Sequence, residues 1–286
     1  MLYQEYKPEV LEKLQKVELE MLRDFAELCE KNNIDYFGVG GTAIGAVRHK
    51  GFIPWDDDID IGFTRKNYEK FISVAKEQYT DKYKLINAET EKNYPLMTSR
   101  WIKKGTKFVE EGLRGVDVEL GIFLDIYCFD AIADDDKKMR RQGWTAWFWG
   151  KLLVLRQVKK PILYFGGFKA GLVRFVCKIV HYMMKIFRIS PKFLYKKAKK
   201  AAMRYSDEET KRIAYFFDPT PFTSIIDIEN VEPTVMYEYS GMNIRMPHKI
   251  DAYLSVRYGD YMQLPPEDKR HNHPPYILDF GTENDV

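Results

Sequence analysis

The sequence predicts an α+β protein in which a mixed β-sheet is flanked by helices. Three observations lead to this class. Apolar residues over positions 8–32 follow the spacing of a helix. Short strands and helices then alternate in a βαβ-like order, and further strands follow. A segment from 137 to 206 has the pattern of additional helices, which suggests a helical insertion into the sheet domain.

The N-terminal helix is expected to pack on the protein through one face. Asn32 and Asn33 are expected to end it, and Glu18 is the single charge inside the apolar arc. The arc consists of Val10, Leu11, Leu14, Val17, Met21, Leu22, Phe25, Leu28 and Cys29.

The elements that follow are short. Thr64 is expected to act as the N-cap of a helix that runs to about residue 78. The other predicted helices cover residues 42–47 and 251–258. The predicted strands cover residues 35–39, 57–63, 83–86, 98–103 and 118–129, with β-like sequence at 224–247.

Aspartates crowd the predicted strand 57–63 and the residue before it. They are Asp56, Asp57, Asp58 and Asp60. Because aspartate is depleted in strands, this concentration points to a function. Residues two apart on a strand face the same side, so Asp58 and Asp60 are expected to point together, with Ile59, Ile61 and Phe63 on the buried side. Adjacent carboxylates repel each other unless a cation lies between them, and Mg²⁺ suits a substrate that supplies phosphate oxygens.

A glycine turn precedes these acids. Gly40 and Gly41 let backbone N–H groups approach a phosphate, and Thr42 opens a short helix whose N-terminus favours an anion. Each signal is weak alone, since a turn or a solvated strand edge can also carry such residues. Together they predict a site for metal and phosphate.

The stretch from Gly40 to Gly62 closely resembles the signature of the LicD family, whose members include bacterial phosphorylcholine transferases. The segment 120–127 resembles the second strand of the family and puts Asp125 where a third carboxylate is expected. The segment 258–266 resembles a further family block near the C-terminus. The resemblance implies a nucleotidyltransferase-like fold and a single catalytic domain over 1–286, including the basic insertion at about 137–206.

The resemblance also implies which residues act. Asp58, Asp60 and Asp125 are expected to hold Mg²⁺ or Mn²⁺ and to be catalytic, with Asp125 on the acceptor side. Asp56 and Asp57 are expected either as ligands or as groups behind the ligands. The residues expected near the donor phosphates are Gly40, Gly41, Thr42, Arg48, His49 and Lys50. For the three basic residues, solvent exposure in a loop is an equal alternative. A second basic cluster is expected to be solvated at the surface: Arg100, Lys103, Lys104 and Lys107.

The implied reaction is transfer of phosphocholine, or a similar phospho-alcohol, from a CDP-alcohol to a hydroxyl of a cell-surface glycan precursor, with release of CMP. LicD-type acceptors include lipopolysaccharide and teichoic acids. One alternative is a nucleotidyltransferase that moves a nucleoside monophosphate from an NTP to a sugar, RNA or small molecule. Another is an inactive, membrane-associated scaffold. The sequence fixes neither the donor head group, nor the acceptor, nor the oligomeric state.

Charge is strongly segregated along the chain. Residues 137–206 hold 19 Lys and Arg and no Asp or Glu, although the net charge of the whole chain is only +3. This favours contact with an anionic membrane through one helical stripe, Arg174, Lys178, His181, Lys185 and Arg188. A packed helical subdomain with a solvated basic face is the alternative, and no motif that reads nucleic acid accompanies the charge.

The expected compartment is the cytosol, with the protein peripheral at the inner face of the cell membrane. Cys29, Cys128 and Cys177 are odd in number and widely spaced, which is typical of reduced thiols. The N-terminus has no apolar signal core, and no uncharged apolar run reaches the ~18 residues of a spanning helix.

Overall fold

The computed structural model describes residues 6–161, 166–267, 270, 272 and 274–281. Within these residues the helices are α1 (Pro8–Lys31), α2 (Gly40–His49), α3 (Arg65–Val74), α4 (Asp136–Gln157), α5 (Gly167–Ile186), α6 (Pro191–Ala202), α7 (Ile228–Val231) and α8 (Ile250–Tyr258). The first six strands are β1 (Phe37–Gly38), β2 (Asp60–Thr64), β3 (Tyr83–Ile86), β4 (Ser99–Lys103), β5 (Lys107–Val109) and β6 (Phe123–Ile132). The remaining strands are β7 (Arg212–Tyr215), β8 (Ser224–Asp227), β9 (Val235–Tyr239), β10 (Met242–Met246) and β11 (Ile277–Asp279).

The main sheet is mixed, and the α+β prediction is confirmed. Its path is β1-β2-β6-β4-β3, and β7 and β8 extend it from the far end of β6. Only β2 and β6 run parallel, and their register places Asp60 beside Asp125. The other pairs in this sheet are antiparallel. The pairs β9–β10 and β5–β11 lie outside it.

The core forms between helix α1 and this sheet. The predicted apolar face of α1 is largely buried, with Leu14, Met21 and Phe25 fully inaccessible. Ile59, Ile61 and Phe63 are also inaccessible, as the alternation with the aspartates predicts. Phe25 and Phe63 contact each other, with ring centroids 6.0 Å apart. This apolar layer fixes one side of β2 and leaves the aspartates on the other.

Two element boundaries and one helix cap differ from the expectation. Strand β2 begins at Asp60, so Asp58 lies in the preceding loop instead of on the strand. Helix α2 begins at Gly40, two residues before the expected start, and that glycine takes φ +56°, a conformation that favours glycine. Thr64 precedes α3, but its side chain makes no capping hydrogen bond. Local propensity located the main elements but missed β5, β7 and β11, and it placed the ends of the elements less well.

The basic segment is helical, as predicted, and it is inserted between paired strands of the sheet. Helices α4, α5 and α6 lie between β6 and β7 in the chain, and these two strands pair with each other. The buried Gln142 fastens the base of the insertion. Its amide nitrogen donates to the carbonyls of Ala131 and Ala202, and its amide oxygen accepts from the N–H of Ala133.

The structure of α5 corrects one detail of the membrane prediction. His181, expected on an exposed basic stripe, is buried, and its Nδ1 lies 2.7 Å from the Leu155 carbonyl oxygen. Arg174, Lys178, Lys185 and Arg188 are exposed. Large apolar residues of α5 are exposed beside them. No helix in the described part of the chain combines the length and hydropathy needed to span a membrane.

Candidate active site

The aspartates lie on the loop that joins α2 to β2, and this loop is held on both sides. Lys50 ends α2 in a left-handed conformation, φ 53°. The chain then folds back against the helix so closely that a Cβ at Gly45 would lie 2.3 Å from the Gly51 carbonyl oxygen. From the other side, Gln15 of α1 donates to the backbone carbonyl of Asp56 at 2.8 Å. These contacts give the carboxylates a fixed platform.

Carboxylates from two strands and the loop converge here. Asp56, Asp57 and Asp58 each offer an oxygen, and these oxygens lie within 4.8 Å of one another. Asp60 is the first residue of β2 and lies in register with Asp125 on the parallel strand β6. Residues directly opposite each other on paired strands share a face of the sheet. The structure therefore gathers the three acids expected to be catalytic together with the two expected beside them.

Burial and mutual repulsion oppose ionisation of this cluster. The pKa of Asp58 is raised well above its usual range, first by burial and then by the charges of Asp60 and Asp56. The pKa of Asp60 is also raised well above its usual range, first by burial and then by Asp125 and Asp56. Oδ1 of Asp60 is buried without a hydrogen-bond partner among the described residues. A divalent cation would satisfy that oxygen and remove the repulsion, so these residues fit a metal site.

The glycine pair packs against these acids. A Cβ at Gly41 would lie 2.3 Å from Oδ2 of Asp56, and a Cβ at Gly40 would lie 3.0 Å from Oδ2 of Asp60. The N-terminus of α2 therefore points its N–H groups toward the carboxylates. Thr42 is buried, and its hydroxyl accepts a 2.8 Å hydrogen bond from the Asp60 N–H. The hydroxyl expected on a phosphate thus holds the start of β2.

The three basic residues expected beside the glycines lie at the opposite end of α2. A helix rises 1.5 Å per residue, which separates Arg48 from Gly40 by roughly 12 Å along the axis. Arg48 donates to the Tyr261 carbonyl at 2.7 Å and to His49 at 2.9 Å, and Lys50 pairs with Glu238. The structure does not bring these residues and the glycines into one phosphate site.

Asp125 is held by a buried arginine. Arg100, on the neighbouring strand β4, donates through Nε to Oδ1 of Asp125 at 2.9 Å. Its other two nitrogens donate to the two oxygens of Glu110, both at 2.6 Å. Burial raises the pKa of Asp125, and Arg100 counteracts that effect. Arg100 is only 3% exposed, so the prediction that it is solvated at the surface is wrong.

Further groups around the acids were not predicted. Glu18 of α1 is buried, and burial followed by the charge of Asp57 raises the pKa of its carboxyl well above the usual range. Its position as the single charge on an apolar helical face was the available signal. Tyr127 lies near Asp60 and acts to lower the pKa of that carboxyl, against the larger effect of burial. Both residues bring polar atoms to the same cluster from different elements.

Helix α8 closes the site from the C-terminal side. The backbone of Gly40 acts to lower the pKa of the Tyr253 hydroxyl, although burial keeps that pKa raised, and the hydroxyl of Tyr258 would lie 3.7 Å from a Cβ on Gly40. The charge of Arg257 lowers the pKa of Asp60, although burial keeps that pKa high overall. These three residues also line a cavity of about 720 Å³, a size that accommodates small-molecule ligands.

Comparison with known proteins supports the resemblance seen in the sequence. Residues 33–147 match the family model described as LicD/FKTN/FKRP, nucleotidyltransferase domain. The chain is 26% identical over 272 residues to the lipopolysaccharide cholinephosphotransferase LicD of Haemophilus influenzae, covering 92% of this chain and 95% of that protein. Uncharacterised proteins of Rickettsia typhi and Rickettsia prowazekii are 50% identical over 55 and 48 residues, which is 19% and 17% of this chain and 18% of each of those proteins.

Proposed function

Because residues 33–147 match the LicD family model and the chain resembles a LicD cholinephosphotransferase over most of its length, we propose that it is a metal-dependent phosphotransferase with a nucleotidyltransferase-like catalytic domain. It moves phosphocholine, or a similar phospho-alcohol, from a CDP-alcohol to a hydroxyl of a cell-surface glycan precursor, and it releases CMP. The named relative acts on lipopolysaccharide, which is the acceptor class we assign first. A teichoic acid precursor is the second acceptor class.

The observation that carries this proposal is the gathering of Asp58, Asp60 and Asp125 in front of the N-terminus of α2. Asp58 and Asp60 would hold Mg²⁺ or Mn²⁺, and Asp56 and Asp57 lie close enough to contribute. A bound divalent ion would neutralise phosphate oxygens and favour ionisation of the acceptor hydroxyl. Phosphoryl transfer depends mainly on such positioning and charge stabilisation.

The residues of the chain supply the rest of the chemistry. Asp125 is placed to receive the proton of the acceptor hydroxyl, and the Arg100 contact fixes the orientation of its carboxylate. The partly buried Tyr127 favours the ionised form of the Asp60 carboxyl. The N-terminus of α2 contributes backbone N–H dipoles that favour the donor phosphates.

For the donor we propose the cavity beside α8. Arg257 lines this cavity and its charge acts on Asp60, so it replaces Arg48 as the cation expected near the diphosphate. Tyr253 and Tyr258 contribute aromatic rings to the wall, which suits a nucleotide base or a quaternary ammonium. The reaction is placed in the cytosol, at the inner face of the cell membrane.

Transfer of a nucleoside monophosphate from an NTP is the second candidate, because the matching family model is described as a nucleotidyltransferase domain. The two reactions release different products. The purified protein is incubated with Mg²⁺ and either CDP-choline, CDP-ethanolamine or each NTP, in the presence of a lipopolysaccharide or teichoic acid preparation. Release of CMP from a CDP-alcohol supports phosphotransfer, release of pyrophosphate supports the alternative, and release of neither supports an inactive scaffold. Asp60→Asn is the matched control, since it removes one charge and little volume.

A further inference from the structure

Helix α5 presents a large apolar face that the described residues leave uncovered. Three of its side chains, and that of the residue after it, are exposed by 61% or more: Phe168, Phe175, Ile186 and Phe187. Further members of the face are exposed by between 39% and 55%: Leu172, Val176, Ile179, Tyr182 and Met183. A soluble surface rarely carries so many neighbouring large apolar groups without a partner.

These side chains form one continuous surface. At 3.6 residues per turn, the nine positions fall within an arc of roughly 140° around the helix. The buried residues Ala170, His181 and Met184 lie on the opposite side, where α5 packs on the protein. We call the exposed arc the α5 apolar face. It points away from the fold along the whole length of the helix.

Basic residues border the α5 apolar face. On a helical projection Arg174, Lys178 and Lys185 follow one edge, and Lys169 lies at the other. All four are exposed. No acidic residue occurs anywhere in 137–206, so this surface is electropositive throughout. An apolar arc edged with cations matches a layer of anionic head groups above acyl chains.

We propose that α5 lies in the plane of an anionic lipid membrane, with the α5 apolar face inserted among the acyl chains and the basic edges on the head groups. The proposal goes beyond the reaction proposed above, since it names the surface that meets the membrane and does not depend on that chemistry. The helix has 20 residues and is therefore about 30 Å long, so it contacts lipid over a distance comparable to the diameter of a small domain. Its four charges and its packed side are compatible with an interfacial position.

A second copy of the chain is a poorer occupant of this face. Two α5 helices meeting through their apolar faces would bring their basic edges together, and the segment offers no carboxylate to neutralise them. Lipid phosphates provide the missing negative charge. Anionic head groups attract nearby Lys and Arg side chains, and this attraction is screened by salt.

The test is co-sedimentation of the full chain with vesicles of phosphatidylcholine alone or mixed with phosphatidylglycerol. We expect binding to the mixed vesicles that weakens as salt rises and weaker binding to the neutral ones. The variant Leu172→Gln, Phe175→Gln, Ile179→Gln should lower the partition coefficient on the mixed vesicles by about 100-fold or more, because a large inserted side chain contributes about tenfold or more. Arg174→Gln, Lys178→Gln, Lys185→Gln should remove the preference for anionic lipid and retain the weak neutral binding.

The control variant is Met236→Gln, Met262→Gln, which removes exposed apolar side chains elsewhere and should sediment like the wild type. Circular dichroism and sedimentation velocity establish that every variant is folded and report its oligomeric state. The proposal is overturned if the wild type does not bind the mixed vesicles, or if the variant with glutamines at 172, 175 and 179 binds them as the wild type does. It is also overturned if the wild type is a dimer that this variant dissociates, because the face would then belong to a second copy.

Discussion

Replacement of Arg100 by methionine tests how the structure positions Asp125. Methionine keeps the aliphatic stem that packs near the Phe123 ring, where the guanidinium carbon now lies 3.7 Å from the ring centroid. The substitution removes the hydrogen bonds to Asp125 and Glu110. It leaves Asp125 buried without its cation, and removing one partner of a buried ion pair costs about 3–5 kcal/mol. That is a large share of a typical unfolding free energy of about 5–15 kcal/mol.

Arg65 of α3 provides a matched control, because it pairs with an aspartate on the same strand as Asp125. Its Nε and Nη2 donate to the two oxygens of the buried Asp130 at 2.7 and 2.8 Å. Asp130 lies five residues beyond Asp125 on β6, roughly 16 Å away at the rise of a strand. Arg65→Met should therefore lower the unfolding free energy by a similar amount, while CMP release by the folded protein stays close to wild type.

Urea unfolding followed by circular dichroism measures the stability, and CMP release at saturating donor measures turnover. We expect Arg100→Met to lose turnover by about 100-fold, since small displacements of a catalytic group have effects of that size. Adding Asp125→Asn and Glu110→Gln to Arg100→Met should recover stability without recovering turnover. If Arg100→Met costs less than about 1 kcal/mol, or if both arginine variants keep the same turnover, the positioning role is refuted.

Three further predictions concern the carboxylates and the glycine turn. Asp58→Asn should abolish turnover and yet raise the melting temperature in EDTA at neutral pH. Folding raises the pKa of Asp58, so the folded state binds more protons than the unfolded state, and the stability of the wild type falls as the pH rises. The stabilisation by Asp58→Asn should therefore fade toward pH ~4, near the ordinary aspartate pKa. A variant that is stabilised equally at neutral pH and at pH ~4 would contradict the repulsion. Asp125→Asn should reduce turnover strongly and change the affinity for CDP-choline, measured by calorimetry with Mg²⁺, only slightly. Loss of CDP-choline binding with normal turnover at saturating donor would instead put Asp125 on the donor side. Gly41→Ala should reduce both metal binding and turnover, because the new methyl group would lie 2.3 Å from Oδ2 of Asp56. Gly115→Ala is the control, since its methyl group would meet nothing within 4 Å. Equal Mn²⁺ affinities of the two variants would show that the contact at Gly41 does not affect the metal site.

The sequence was sufficient to predict the elements that bury apolar side chains. The period of α1 and the alternation of Ile59, Ile61 and Phe63 both follow from the need to cover one face of an element. The parallel pairing of β2 with β6 was not visible in this way. It joins residues about 65 positions apart, and local periodicity carries no information on such pairing.

The site shows the same division. Asp58, Asp60 and Asp125 could be nominated from their spacing and from the family resemblance. The ion pair of Arg100 could not be predicted, because nothing in the neighbouring sequence indicates that an arginine in a basic cluster will be buried. Arg48 could be associated with the glycines only by its nearness in the sequence, and the length of α2 separates them. The residues of α8 reach the site through long-range packing, as Tyr253 shows by its contact with Gly40.

The most direct test of the proposed function is a ³¹P NMR time course of the wild type with CDP-choline, Mg²⁺ and a lipopolysaccharide preparation. We expect the diphosphate signals of CDP-choline to decline while CMP and a phosphodiester on the acceptor appear in equal amounts. With EDTA, or with Asp60→Asn, we expect the spectrum to stay unchanged. Stable CDP-choline signals, together with pyrophosphate formed from an added NTP, would contradict phosphocholine transfer.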